Sequence, residues 1–239
     1  MEKNTIGILG GMGPEATEFL FGLIIRNTRA AKDQDHLPVL IYNNPKIPDR
    51  SAYILGRGPD PVPALTEGSL FLERSGVCCI LWPCNTAHYF HEEVSQHLRV
   101  PVLHMIRETA ACMKEKYPAG TRFGLLATLG TYQTGTYEKI FEETGLDLVM
   151  PEEKNRKITM EAIYGEKGIK AGYREEPLQM LGGPVAELKE KGTDVLIAGC
   201  TELSLVLSEE TTGMPVTDPM VCLARAAIRA AGGRLKREG

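Results

Sequence analysis

The sequence predicts an α/β protein: two pseudo-symmetric α/β domains with mainly parallel sheets flanked by helices. Two observations predict it. First, short apolar stretches of strand length alternate with longer amphipathic stretches, the pattern of parallel sheets covered by helices on both faces. Second, the chain carries a faint internal repeat. Gly76-Val-Cys-Cys-Ile-Leu-Trp-Pro-Cys84 and Gly192-Thr-Asp-Val-Leu-Ile-Ala-Gly-Cys200 share one frame from glycine to cysteine. Upstream, Ile6-Gly7-Ile8-Leu9-Gly10 resembles Phe123-Gly124-Leu125-Leu126-Ala127, and downstream Val100-Pro101-Val102 resembles Met214-Pro215-Val216. The three pairs have nearly the same separation and keep their order. Duplicated lobes with a cleft between them are therefore expected, the first comprising residues 1–105 plus 217–239 and the second 106–216. The helix from Pro219 onward would cross back to the first lobe.

In chain order, strands are expected at Thr5 to Leu9, Pro38 to Tyr42, Val77 to Leu81, Val102 to His104, Phe123 to Ala127, Leu146 to Val149, Asp194 to Ala198 and Val216 to Thr217. Helical patterns fill most of the intervals. The Pro- and Gly-rich stretch from Asn44 to Pro63 reads as a long loop, which in a compact protein is either functional or a surface excursion.

The bulk composition narrows the function classes. A chain of 239 residues that is 43% hydrophobic and 24% charged buries a real core, so disorder is excluded. Its net charge of −4 comes without a basic stripe, so nucleic acid is not an expected partner. Met1-Glu2-Lys3-Asn4 leads into a glycine-rich turn rather than an apolar signal region, and no apolar run approaches the ~20 residues of a membrane span. A cytoplasmic protein without a membrane partner is expected.

In a reducing compartment the six cysteines should be thiols. Cys78 and Cys79 lie in a strand-like run, and Cys112 and Cys222 in helical patterns, where a thiol is a small core residue. Cys84 and Cys200 differ, because each follows an apolar strand and opens a polar, helix-starting turn. Ligands of open α/β sheets bind beyond the carboxyl ends of the strands, where both cysteines fall. A helix start would favour the thiolate. Two such groups on opposite walls of a cleft suit proton removal from one face of a carbon and proton return to the other, which is racemisation. Asn85, Thr86 and Ala87 after Cys84, and Thr201 and Glu202 after Cys200, are candidates for ligand contact, with helix capping the competing role for Thr86 and Thr201.

Other motifs compete for attention. Gly11-x-Gly13-x-x-Ala16 matches a dinucleotide fingerprint weakly, since the second strand ends in Tyr42-Asn43-Asn44 without an acidic residue for ribose hydroxyls. A tight turn with Met12 near a substrate fits better, and no cofactor is expected. Arg50, in Asn43-Asn44-Pro45-Lys46-Ile47-Pro48-Asp49-Arg50-Ser51, is either a solvated loop arginine or a planar fork for a carboxylate. Lys170 is a second candidate cation, and Thr128 and Thr131 either cap a helix or bind the α-amino or carboxylate group. His88 and His91 with Glu92 and Glu93 superficially suggest a metal helix, but no third ligand cluster accompanies them, and no metal is expected. Gly-x-Ser-x-Gly, the nucleophile elbow of serine hydrolases, is nowhere present.

Over nearly its whole length the chain resembles the aspartate/glutamate racemase family, especially its aspartate racemase branch. The resemblance rests on Ile6 to Thr17, Asn43 to Arg50, Pro83 to His88, Ala198 to Glu202 and Asp218-Pro219-Met220. It implies a homodimer of paired α/β domains without pyridoxal phosphate, acting on an acidic amino acid, aspartate first. Cys84 and Cys200 match the two catalytic cysteines. Arg50 and Lys170 match the positions that grip the substrate's side-chain carboxylate, and Asn85, Thr86 and Thr201 those around its α-carboxylate. Ser51 stands where relatives often have threonine, which keeps a hydroxyl but loosens the inference about side-chain preference. Competing readings are racemisation of glutamate or another amino acid, isomerisation or decarboxylation of a dicarboxylate, a non-catalytic amino-acid-binding protein, and a redox switch through a Cys84–Cys200 disulfide.

Overall fold

A computed structural model describes residues 4–236, and these divide into two compact units. One comprises the described residues up to Glu108 together with those from Met220 onward, and the other runs from Thr109 to Pro219. The family of elements is that of an α/β fold with two parallel sheets flanked by helices.

The first unit contains strands β1 (Ile6–Gly10), β2 (Val39–Asn43) and β3 (Cys79–Leu81) in the order β2-β1-β3, all parallel. Its helices are α1 (Pro14–Asn27), α2 (Arg50–Ile54), α3 (Val62–Arg74) and α4 (His91–Ser95), followed by α5 (Met105–Lys116), in which the division between units falls. Alternation along the strands explains why both faces are covered. Ile6 and Ile8 of β1, with Cys79 and Leu81 of β3, pack against Ala16, Leu20 and Ile24 of α1. Leu9 and Ile80 point the other way, into a cluster with Leu65 and Leu72 of α3. Such two-sided burial is what a continuous apolar strand requires.

The second unit repeats the scheme. Strands β4 (Arg122–Leu126), β5 (Asp147–Val149), β6 (Val195–Ala198) and β7 (Val216–Thr217) form a parallel sheet in the order β5-β4-β6-β7. Its helices are α6 (Leu129–Thr134), α7 (Thr136–Thr144), α8 (Glu153–Tyr164), α9 (Glu175–Glu190) and α10 (Glu209–Thr212). Leu196 and Ala198 of β6 pack with Ala162 and Ile163 of α8 and Leu181, Val185 and Leu188 of α9. The last helix, α11 (Pro219–Ala230), supplies Met220, Leu223, Ala224, Ala227 and Ile228 to the cluster around β1 and α1.

Two sequence expectations are corrected. The strand expected from Val102 to His104 reduces to one isolated bridge between Val102 and Ile80, because Pro101 offers no N–H and α5 begins at Met105. The expected loop from Asn44 to Pro63 contains α2 and the start of α3. Asp49 caps α2 by accepting a hydrogen bond from the Ala52 N–H at 2.6 Å, and Pro63 is tolerated in the first turn of α3. The other strands shift by a residue or two at their ends. No helix among the described residues is long and apolar enough to cross a membrane.

Candidate active site

In both sheets the chain enters a central strand, visits one neighbour, then returns to the opposite side. This creates a switch point between β1 and β3 in the first unit and between β4 and β6 in the second, the position where open α/β sheets take their ligands.

At the first switch point, Gly11 has φ of +96°, and a β-carbon on it would lie 2.3 Å from the Asn44 carbonyl carbon. The glycine is thus required by the close approach of the loop after β2, which explains it without a dinucleotide. Arg50 opens α2 and is only 6% exposed. Its Nη1 donates to the carbonyls of Pro48 at 2.8 Å and Ile47 at 3.3 Å, and its Nη2 to the Met12 carbonyl at 3.1 Å. The buried guanidinium therefore ties the turn after β1 to the turn after β2. A solvated loop arginine is excluded. Ser51 beside it is buried.

Cys84 lies just beyond β3, its N–H donating to the Trp82 carbonyl at 2.8 Å in a tight turn. Its side chain is buried in the cluster that contains Met12, Ile47, Trp82, Ala87 and Phe90. Asn85 and Thr86 follow, also buried, and a 3-10 segment runs from Thr86 to Phe90. Beneath this turn the rings of His88 and His91 each approach that of His104, with centroids 4.8 and 4.7 Å apart. His91 Nε2 donates to the Val102 carbonyl at 2.7 Å, and His88 Nε2 to the Trp82 carbonyl at 3.4 Å. Burial first, then the neighbouring imidazoles, push the His88 pKa well down; burial, His91 and Arg107 push that of His104 down to about 3. His88 and His104 are thus neutral, packed imidazoles. Among the described residues no histidine, cysteine and carboxylate group has the arrangement of a metal site.

At the second switch point, Thr128 caps α6, its Oγ1 accepting from the Thr131 N–H at 3.2 Å, and the two hydroxyls lie 3.1 Å apart. Capping is thus the role seen for Thr128. Gly199 permits the turn into Cys200, since a β-carbon there would meet Leu125 Cδ1 at 2.4 Å. Cys200 Sγ, 7% exposed as a residue, donates to Glu202 Oε2 at 3.0 Å, and the Thr201 hydroxyl donates to the same oxygen at 3.2 Å. The other oxygen, Oε1, is ion-paired with Lys170 Nζ. Thr201 and Glu202 are buried.

This arrangement overturns one expectation. Cys200 opens no helix: a single 3-10 turn, Leu203–Leu205, follows it, too short to carry a macrodipole. Burial first, then the Glu202 charge, push the Cys200 thiol well up, with Lys170 opposing. Burial alone would raise Glu202, but Lys170 and the Cys200 S–H hold its carboxyl below the usual range. A thiolate and a carboxylate this close would repel by about 5 kcal/mol even at an effective dielectric near 20.

The residues singled out from the sequence thus gather in two sets. Met12, Arg50, Ser51, Cys84, Asn85, Thr86 and Ala87 lie in the turns beyond the strands of the first sheet. Thr128, Thr131, Cys200, Thr201 and Glu202 lie in those of the second, with Lys170 joined to them through Glu202. The Lys170–Glu202 pair was not legible as a pair, because its members are 32 residues apart in an aperiodic stretch.

The family model described as Asp/Glu/hydantoin racemase matches residues 9–227. The chain belongs to that family. It is an amino-acid racemase, an isomerase. The racemase is 32% identical to the Picrophilus torridus aspartate racemase, with a TM-score of 0.86 over 97% of this chain and 96% of that one. It is 29% identical over 230 residues to the broad-specificity amino-acid racemase RacX of Bacillus subtilis, covering 93% of this chain and 96% of that protein. The racemase also shares its fold with the glutamate racemase isoform RacE1 of Bacillus anthracis, at a TM-score of 0.69 and 20% identity over 95% of this chain and 82% of that one.

Proposed function

We propose that the protein interconverts L- and D-aspartate without a cofactor, Cys84 and Cys200 serving as the two proton-transfer groups. One observation carries the reading: each thiol stands just past the strand that follows the switch point of its own parallel sheet. In one direction a thiolate takes the α-proton and the other cysteine returns its S–H proton to the opposite face of the carbanion. Protons balance, and the cysteines exchange roles for the reverse reaction. The reading requires both sulfurs to reach one bound α-carbon.

Arg50 and Lys170 bind the side-chain carboxylate, the planar guanidinium giving a two-point grip. Asn85, Thr86 and Thr201 hold the α-carboxylate, whose charge grows as the carbanion forms. Met12, Ser51, Ala87, Thr128 and Thr131 shape the surrounding surface. The name of the Picrophilus torridus relative supports aspartate, and that of the Bacillus subtilis relative supports a wider range of amino acids. A cytoplasmic homodimer completes the proposal, to be checked by light scattering of the purified protein.

The test is uptake of deuterium at the α-carbon of L- and D-aspartate in heavy water, with products resolved by chiral chromatography. Uptake is expected from both enantiomers, and racemisation is expected to fall by about 10³-fold in Cys84→Ser and in Cys200→Ser. Full racemisation by either variant overturns the two-thiol mechanism. A panel of glutamate, neutral and basic amino acids ranks the substrates, and turnover of none of the acidic ones overturns the carboxylate assignment.

A further inference from the structure

Around Cys200, three neighbours converge on one buried carboxylate. Glu202 Oε2 receives the Cys200 S–H at 3.0 Å and the Thr201 hydroxyl at 3.2 Å, while Oε1 is held by the Lys170 ammonium. Glu202 itself is 5% exposed, so solvent screens these contacts little. A buried carboxylate that accepts a thiol proton favours the protonated sulfur, since losing the proton would set two anions side by side. Both thiols lie in apolar clusters, Cys84 with Met12, Ile47, Trp82, Ala87 and Phe90 and Cys200 with Leu126, Ala198 and Leu203, and the carboxylate contact distinguishes Cys200.

We infer that Glu202, held as a carboxylate by Lys170, keeps Cys200 in the proton-carrying form in the resting protein, so that Cys84 is the resting base. The inference rests on the two-thiol reading above and adds its polarity. Glu202 is a positioning residue, acting through Cys200 rather than on the reacting carbon. The polarity has a definite consequence for turnover. The enantiomer that presents its α-proton to Cys84 meets a protein already in the right proton state. The other requires Cys200 to lose its proton and Cys84 to gain one: Glu202 Oε2 is the acceptor within reach of Cys200, where an S–H bond breaks and an O–H bond forms, and bulk solvent supplies the proton that forms the Cys84 S–H bond. Lys170, if drawn to the substrate's side-chain carboxylate, would raise the proton affinity of Glu202 at that moment.

The experiment reads the sulfur directly, without turnover. Thiolate absorbance is titrated with pH in the full-length protein, using Cys200→Ser and Cys84→Ser to separate the two sulfurs, and paralleled by iodoacetamide labelling quantified per cysteine by mass spectrometry. Glu202 and Lys170 are the charged groups that act on Cys200. In the wild type the Cys200 thiolate should appear at higher pH than that of Cys84. Glu202→Gln keeps shape but removes the charge, and should lower the Cys200 midpoint and speed its labelling at pH 7 to 8 by at least ~10-fold, leaving Cys84 unchanged. Glu202→Asp, which keeps the charge, should retain a high midpoint and serves if the glutamine variant does not fold. Equal Cys200 midpoints in wild type and Glu202→Gln, or a wild-type Cys200 that ionises before Cys84, overturns the inference. Because neither measurement uses substrate, failure here leaves the deuterium test of the racemase mechanism standing, and failure there leaves this result readable.

Discussion

The turns carrying Cys84 and Cys200 start from the same plan and end in different electrostatics. Each follows the strand beside the switch point of a parallel sheet, and each cysteine is 7% exposed. Both lie in apolar clusters, but near the Cys84 turn the chain has packed His88 against His104, whereas at Cys200 it has added a carboxylate and its lysine. Similar backbones thus place each thiol alike, while side chains brought in by folding give the two different surroundings. The proposed two-thiol reaction does not need symmetric surroundings, only sites that can each adopt both proton states.

The largest expected effect tests how equal the two halves are. Cys84→Ser and Cys200→Ser should each cut racemisation of aspartate by about 10³-fold, the scale of a lost general acid or base, measured as kcat by chiral chromatography. A loss in only one variant would break the pairing. Arg50→Lys comes next. Replacing the fork that also braces the turns after β1 and β2 should raise KM for aspartate by roughly 10- to 100-fold, as expected for losing charge-assisted hydrogen bonds. An unchanged KM would take Arg50 out of substrate binding.

Acid should then separate the units. All five histidines, His36, His88, His91, His97 and His104, precede Glu108 and so belong to the first unit. The pKa values of His88 and His104 are lower in the fold than the usual value near 6.5, the latter at about 3. Below pH 6.5 the unfolded chain therefore binds more protons than the folded one. Their contribution is whole above that pH and declines as pH falls toward 3, by up to about 1.4 kcal/mol per pH unit for each histidine. Hydrogen exchange at pH 4 to 5 should open α4 and the Cys84 turn before β4 and β6. Earlier opening of the second sheet would contradict this. The smallest effect compares caps: Asp49→Ala and Thr128→Ala should each cost about 1 kcal/mol in denaturant melts, loosening α2 and α6 respectively.

The architecture was legible because its signals are local. Apolar strands and amphipathic helices announce themselves within a few residues, and the repeat of Gly76 to Cys84 in Gly192 to Cys200 pointed to duplicated sheets. The failures were of two physical kinds. Val102 lost its strand to Pro101 and to the helix beginning at Met105, both visible locally but outweighed by an apolar triplet. Helix α2 was hidden among prolines and glycines although Asp49, three residues before Ala52, carried its capping signal. At the candidate site, the placing of Cys84 and Cys200 just beyond strand ends could be read from their neighbours in the chain. The preference of Cys200 for its proton could not, since it depends on Glu202 meeting Lys170 across 32 residues. The meeting of His104 with His88 and His91 has the same character: only folding makes them neighbours.

Helix α11 gives the order of synthesis a physical meaning. Its Met220, Leu223, Ala227 and Ile228 fill the core around β1, the earliest-made strand of the first sheet. During translation Ile6 and Ile8 must therefore wait for partners encoded more than two hundred codons later, whereas the uninterrupted stretch from Thr109 to Pro219 has emerged before α11 is made. The sheet made earlier is thus the one finished later, and its unfilled apolar strand is a segment for chaperones to shield.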